Sequence, residues 1–185
     1  MNALRAHLRR ATSQRLRRLC AVLAVVLATV AWMRATYAQM QASEVQIKAA
    51  FIYNFALFTD WPADAMLAGA PMVVCVTAEH PLQAALEKLT GKPVRGHRLE
   101  IRKINDGAVA GCHLLVLGAQ SSGSVRLDPA SPVLTVGDGH KGALTPMIAL
   151  ALQDNRVVFD IDAGAARLAG LQLSSQLLRL ARSVQ

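Results

Sequence analysis

The first 38 residues constrain this chain most, because they read as a segment made to be removed and so set where folding begins. They carry seven arginines (Arg5, Arg9, Arg10, Arg15, Arg17, Arg18, Arg34) and no acid. A basic stretch runs to Arg18, an apolar run follows from Leu19 to Met33, and small residues stand at Thr36 and Ala38. These are the three parts of a secretory signal, with cleavage expected after Ala38. An uncleaved membrane anchor is the rival reading, although the run is short for a span that needs about 20 residues. The Arg17-Arg18 pair also admits twin-arginine export. Each route leaves residues 39–185 as one domain outside the cytoplasm.

That reading changes what the charge means. The formal net charge is +8, which taken alone would suggest nucleic acid or an anionic membrane as partner. Removing the seven arginines from 20 basic residues leaves thirteen against 12 acids, so the remaining chain is close to neutral. A nucleic-acid partner is therefore not expected. The apolar content of 53 % argues for a packed core, and the length for one domain. No stretch after residue 38 reaches spanning length without a charge or a Pro/Gly break.

Of the three cysteines, Cys20 leaves with the signal, and Cys75 and Cys112 remain. In an oxidising compartment two such thiols are most simply a disulfide, worth roughly 3 to 4 kcal/mol through its constraint on the unfolded chain. Two buried, unpaired thiols are the alternative. Half a tetrahedral ligand set, with no histidine spaced from both cysteines, makes a zinc site weaker still.

Apolar spacing from Glu44 to Phe58 predicts an amphipathic helix stopped by Trp61-Pro62, unusually rich in rings (Phe51, Tyr53, Phe55, Phe58). Such a helix is more often core than binding surface, though Tyr and Trp also anchor interfaces. Met72–Thr77, Cys112–Leu117 and Pro132–Val136 read as strands buried on both faces, and Leu99–Arg102 as a strand with one open side. Pro81–Leu89 reads as a helix. Met147–Leu152 and Arg156–Ile161 form a hairpin around Gln153-Asp154-Asn155. A helical segment follows from Asp162, broken at Gly170, and Ser174 or Ser175 caps a last helix, Gln176–Ser183. The expected fold class is α/β, a single layered α/β/α domain with a central, mostly parallel sheet.

Candidate chemistry is sparse. Gly137-Asp138-Gly139-His140-Lys141-Gly142 has dinucleotide-loop spacing after a strand, but Pro146 and Met147–Leu150 point to another strand where that fold needs a helix. A solvent-exposed turn fits better. His80, His97, His113 and His140 make no ligand pair, and Cys112-His113 would point to opposite faces of a strand. Asp160 and Asp162 would share a face if the strand runs through both, giving a cation or acid/base pair, and a strand end explains them equally. No catalytic residues, metal site or cofactor follow, and the chain is not expected to be an enzyme.

Several segments together resemble the YfiR-type periplasmic proteins. They are Val45-Gln46-Ile47-Lys48-Ala49-Ala50-Phe51-Ile52-Tyr53-Asn54-Phe55 with Phe58-Thr59-Asp60-Trp61-Pro62, then Gly111-Cys112-His113-Leu114-Leu115, then Val158-Phe159-Asp160-Ile161-Asp162, and the closing run Gly170–Ala181. The resemblance implies a periplasmic domain that represses an inner-membrane diguanylate cyclase by binding its periplasmic portion, lowering cyclic di-GMP and restraining biofilm growth. It also implies sequestration by an outer-membrane lipoprotein and a homodimer. Cys75 and Cys112 fall where the family's inter-strand disulfide would be, whereas a second cysteine pair of some members has no counterpart here. Asp162 stands where the family often has Asn. The expected contact or ligand surface comprises Tyr53, Phe58, Trp61, Asp138, His140, Asp160 and Asp162. A periplasmic small-molecule-binding protein, using the Gly137–Gly142 loop and the Asp160/Asp162 end, is the alternative.

Overall fold

In the computed structural model, which describes residues 39, 41, 43–105, 108–119, 125–139 and 144–185, the aromatic segment is helix α1, helical through residues 44–57. The expected signal segment, residues 1–38, and His140 lie outside the described residues. Ala49, Ile52, Phe55 and Ala56, spaced three or four apart, are each at most 2 % exposed and form the buried face of α1. Ile47, Ala50 and Asn54 make its outer row. The Thr59 hydroxyl donates to the Phe55 carbonyl at 2.7 Å, and the helix ends at residue 57, before the expected stop at Trp61-Pro62, because Thr59–Asp60 is taken into pairing with Gln172–Leu173.

The chain continues as β1 (Thr59–Asp60), β2 (Met72–Thr77), α2 (Gln83–Glu87), β3 (Pro93–Val94), β4 (His97–Ile104), β5 (Leu114–Gly118) and β6 (Leu134–Asp138). The hairpin β7 (Ile148–Gln153) and β8 (Arg156–Ile161) follows, then α3 (Ala163–Leu168), β9 (Gln172–Leu173), α4 (Ser175–Leu180) and β10 (Ser183–Val184). Asp154 and Asn155 sit at φ of 49° and 58°, the left-handed geometry of a two-residue hairpin turn that both side chains tolerate.

Eight strands form one sheet in the order β10-β8-β7-β6-β5-β2-β4-β3, while β1 pairs antiparallel with β9 in a separate two-stranded ladder. The fold is α/β, but the large sheet is mixed. β4-β2-β5-β6-β7 run parallel, and β3 and β8 lie antiparallel to their inner neighbours. Alternation along the strands splits the core in two. Met72, Val74, Val76, Leu114, Val116, Leu134 and Val136 face one side with the buried residues of α1, α2, α3 and α4. Val73, Cys75, Leu115 and Leu117 face the other, where Val109, Val125, Leu127 and Leu144 cover them.

The expected second helical layer is therefore not seen among the described residues, and the reason is local. The β4–β5, β5–β6 and β6–β7 crossovers all step in one direction, so the right-handed rule sends them over the same face. Their sequences are broken by Gly111, by Asp128-Pro129 and Pro132, and by Gly139 and Pro146, so no helix-length run survives. The last helix also stops earlier than expected, at Leu180. Ala181 turns extended, and Ser183–Val184 pairs parallel with Asp160–Ile161 as an edge strand.

Candidate functional site

The residue blocks singled out in the sequence converge on the end of α1. Thr59 and Asp60 pair with Leu173 and Gln172, joining the block after α1 to the closing block. The Ser174 N–H donates to the Phe58 carbonyl at 2.9 Å, and the Trp61 indole N–H donates to the His113 carbonyl at 3.1 Å. Phe51 and Phe55 close on Phe159 of β8, with ring centroids 5.6 and 5.0 Å apart. Edge-on aromatic contacts of this kind contribute about 0.5–1.5 kcal/mol beyond burial. Gly170 takes φ 72° with its α-carbon against Pro62, where a Cβ would come 3.1 Å from the proline ring. The four blocks thus form one framework around α1.

Most of the expected surface residues are occupied structurally. Tyr53 donates its hydroxyl to the Pro93 carbonyl at 2.8 Å, fixing α1 to the edge strand β3, and Lys92 lies over its ring. Arg95 completes that clamp with an ion pair to Asp60 and a bond to the Leu57 carbonyl. Phe58 and Trp61 are half-buried. Asp160 is gripped by the Arg182 guanidinium and the Ser183 hydroxyl, and the Arg182 bonds hold its carboxyl below the usual carboxylate range. Asp162 lies beyond the strand, where its carboxylate accepts the Ala165 N–H at 2.8 Å and caps α3. Asp160 and Asp162 accordingly do not form a cation or acid/base pair, because the strand ends at Ile161 and each carboxylate closes a different local structure.

His113 is also structural. Its Nδ1 accepts the Val73 N–H at 2.9 Å, so the neutral ring carries its proton on Nε2, which lies 3.0 Å from the Ala65 carbonyl. Burial, the main cause, holds it below the ordinary histidine value. Cys112 is joined to Cys75, the Cα atoms 5.7 Å apart, so no Cys/His nucleophile stands here. Cys112 lies in the loop before β5, and the bridge links strand to loop on the face that carries no helix among the described residues. A cleft of about 300 Å³ beside it is lined by Ala65, Val109, Cys112, His113, Leu127 and Val133.

Asp138 ends β6 at the carboxyl edge of the parallel strands, where Lys48 of α1 reaches it at 2.6 Å and also binds Glu44. Burial works against the Lys48 charge, but the hydrogen bonds to Asp138 and Glu44 outweigh it and the ammonium titrates above its ordinary value. His80 shares this edge and is 6 % exposed. Its Nδ1 accepts the Leu82 N–H at 3.1 Å, and its Nε2 has no hydrogen-bond partner among the described residues. Burial lowers its pKa from 6.5, with the Lys48 charge adding to that, while Asp138 and the Leu117 carbonyl pull the other way. Residue-by-residue reading missed Lys48 and His80. The available signals were a Glu44/Lys48 pair one helical turn apart and a histidine just before the Pro81 turn that leads into α2.

Tyr53, Phe58 and Trp61 therefore share one region, whereas Asp138 and Asp160 face opposite sides of the sheet by strand alternation. Among the described residues no helix is long and apolar enough to cross a membrane. No curated protein matches the chain. The model of the YfiR/HmsC-like family matches residues 45–182, which covers all four converging blocks and most of the chain. The chain belongs to the YfiR/HmsC-like family.

Proposed function

We propose that this protein is a periplasmic, non-enzymatic regulator that represses an inner-membrane diguanylate cyclase by binding its periplasmic portion, and so lowers cyclic di-GMP and biofilm formation. The family match over residues 45–182 carries the reading. The site supports it in a second way: the aspartates and the histidine described above are committed to caps, clamps and ion pairs, which suits a rigid scaffold that presents a surface. The outer row of α1, Ile47, Ala50 and Asn54, is the proposed contact face, with Ile47 44 % exposed. Sequestration by an outer-membrane lipoprotein and homodimerisation belong to the same proposal.

Deleting the gene tests it directly. Cyclic di-GMP rises if the reading is right, and an unchanged level removes it. Ile47→Asp, which leaves the buried face of α1 intact, abolishes co-purification with the cyclase's periplasmic portion. The small-molecule reading rests on the Gly137–Gly142 loop and the Asp160/Asp162 end, whereas the cleft beside Cys112 lies elsewhere and involves neither. A metabolite screen by thermal shift tests it, since a ligand at a hundred times its Kd adds about 2.7 kcal/mol.

A further inference from the structure

We propose that the junction between β2 and α2 is an acid-operated latch, in which a proton taken up by His80 at Nδ1 releases α2 from the carboxyl edge of the sheet. The argument starts from what the ring does. His80 closes the turn that leads into α2: its carbonyl accepts the Gln83 N–H at 3.0 Å and its Nδ1 accepts the Leu82 N–H, while Leu82, the cap residue itself, has no side-chain cap bond. Side-chain-to-backbone turns of this kind ordinarily use Ser, Thr, Asp or Asn, and none of those loses its acceptor near neutral pH. Imidazole does, because both nitrogens of its cation are donors.

A solvent proton added at Nδ1 uses the lone pair that holds the Leu82 N–H. Two donors then face each other, and the amide of Leu82, itself 1 % exposed, is left without its acceptor. The new charge is only partly met where the ring sits, since burial outweighs the groups that favour it. On β6 the facing group is Asp138, already bound by Lys48 of α1, with Glu44 behind it. From β5 the neighbours are the Leu117 carbonyl and Gly118, so close that a Cβ on residue 118 would meet the His80 ring at 2.8 Å. Nε2 is buried and makes no hydrogen bond of normal geometry among the described residues, and the Leu117 carbonyl favours the charged ring only in part. Release is the remaining way for the cation to reach water, and Glu79, held at φ 58° on the hinge side, relaxes when it happens.

The direction in pH follows from burial. The closed latch binds its proton less readily than free histidine, so the closed form is fully stable above about pH 6.5 and weakens as pH falls below it. Between that value and the lowered pKa of the closed form, opening gains roughly tenfold per pH unit.

Amide exchange on the full chain from about pH 8 to pH 5 tests this, with protection at Leu82–Leu86 compared with Val136 and Ile148. The expected result is a protection factor for α2 that drops about tenfold per unit below pH 6.5 while the sheet holds. His80→Asn, whose Oδ1 keeps an acceptor near Leu82 without titrating, makes α2 protection flat with pH. A flat wild-type profile, or an equal drop in the Asn variant, overturns the latch. If that variant fails to fold, the His80 ring followed by NMR in the wild type decides: Nδ1 protonation concurrent with loss of the Leu82 amide supports the latch. Protonation that leaves the amide protected overturns it.

Discussion

The two faces of the sheet reach the same degree of burial by different means. On the helix-covered face, three rings from α1 and β8 interlock with aliphatic residues of four helices, so the face is held by close packing. On the other face the cover is loop backbone with a few medium side chains, and the Cys75–Cys112 bond ties the cover to the central strand. Where the described parts of the crossovers hold no helix, a covalent link does what interdigitation does opposite. The comparison teaches that the disulfide serves one layer, and that this layer depends on an oxidising compartment while the other does not.

The sharpest way to break that contrast is Phe55→Ala, which empties the centre of the helix-covered face. It costs about 3–5 kcal/mol in denaturant unfolding and lowers amide protection throughout the domain. Nearly as large is Lys48→Ala, which strands the largely buried Asp138 carboxylate at about 3 kcal/mol, and Lys48→Met with Asp138→Leu recovers most of the loss. Replacing Cys75 and Cys112 by alanine costs about 2–4 kcal/mol, with exchange rising first in residues 108–119 and 125–133. Equal loosening of α1 would show that the two faces are not independent. Asp160→Asn produces the smallest change, confined to fraying of β10. Since the folded Asp160 carboxyl is held low by Arg182, its contribution is present above the ordinary carboxylate range and fades as pH falls through the lowered value. Hydrogen exchange at Ser183–Gln185 from pH 6 to pH 3 reads it, and the Asn variant shows no such acid-dependent fraying.

The legible parts of the fold were those with enough residues to carry a pattern. Met72–Val76 and Leu114–Leu117 are apolar on both faces because both faces are covered, and the 153–155 turn announces itself by side chains that accept a left-handed backbone. Asp162 and Ser174 were readable as helix starts, and both cap. The two-residue strands β1, β3, β9 and β10 were not readable, because pairing there depends on a partner far along the chain. Lys48 and Asp138 meet across 90 positions for the same reason. The site residues suffered most. Asp160 and Asp162 read as a pair because strand periodicity was carried one residue too far.

The β1–β9 ladder has a consequence for how the chain can be made. It joins the residues just after α1 to residues that follow them by more than 110 positions. Synthesis proceeds from the amino end, so α1, with its rings and its Tyr53 and Asp60 clamps, must wait for more than a hundred further residues to emerge before its final partner arrives. Until then its greasy side stays open to chaperones and to proteases. A nonsense codon near residue 170 would therefore forfeit the whole domain, not merely its tail.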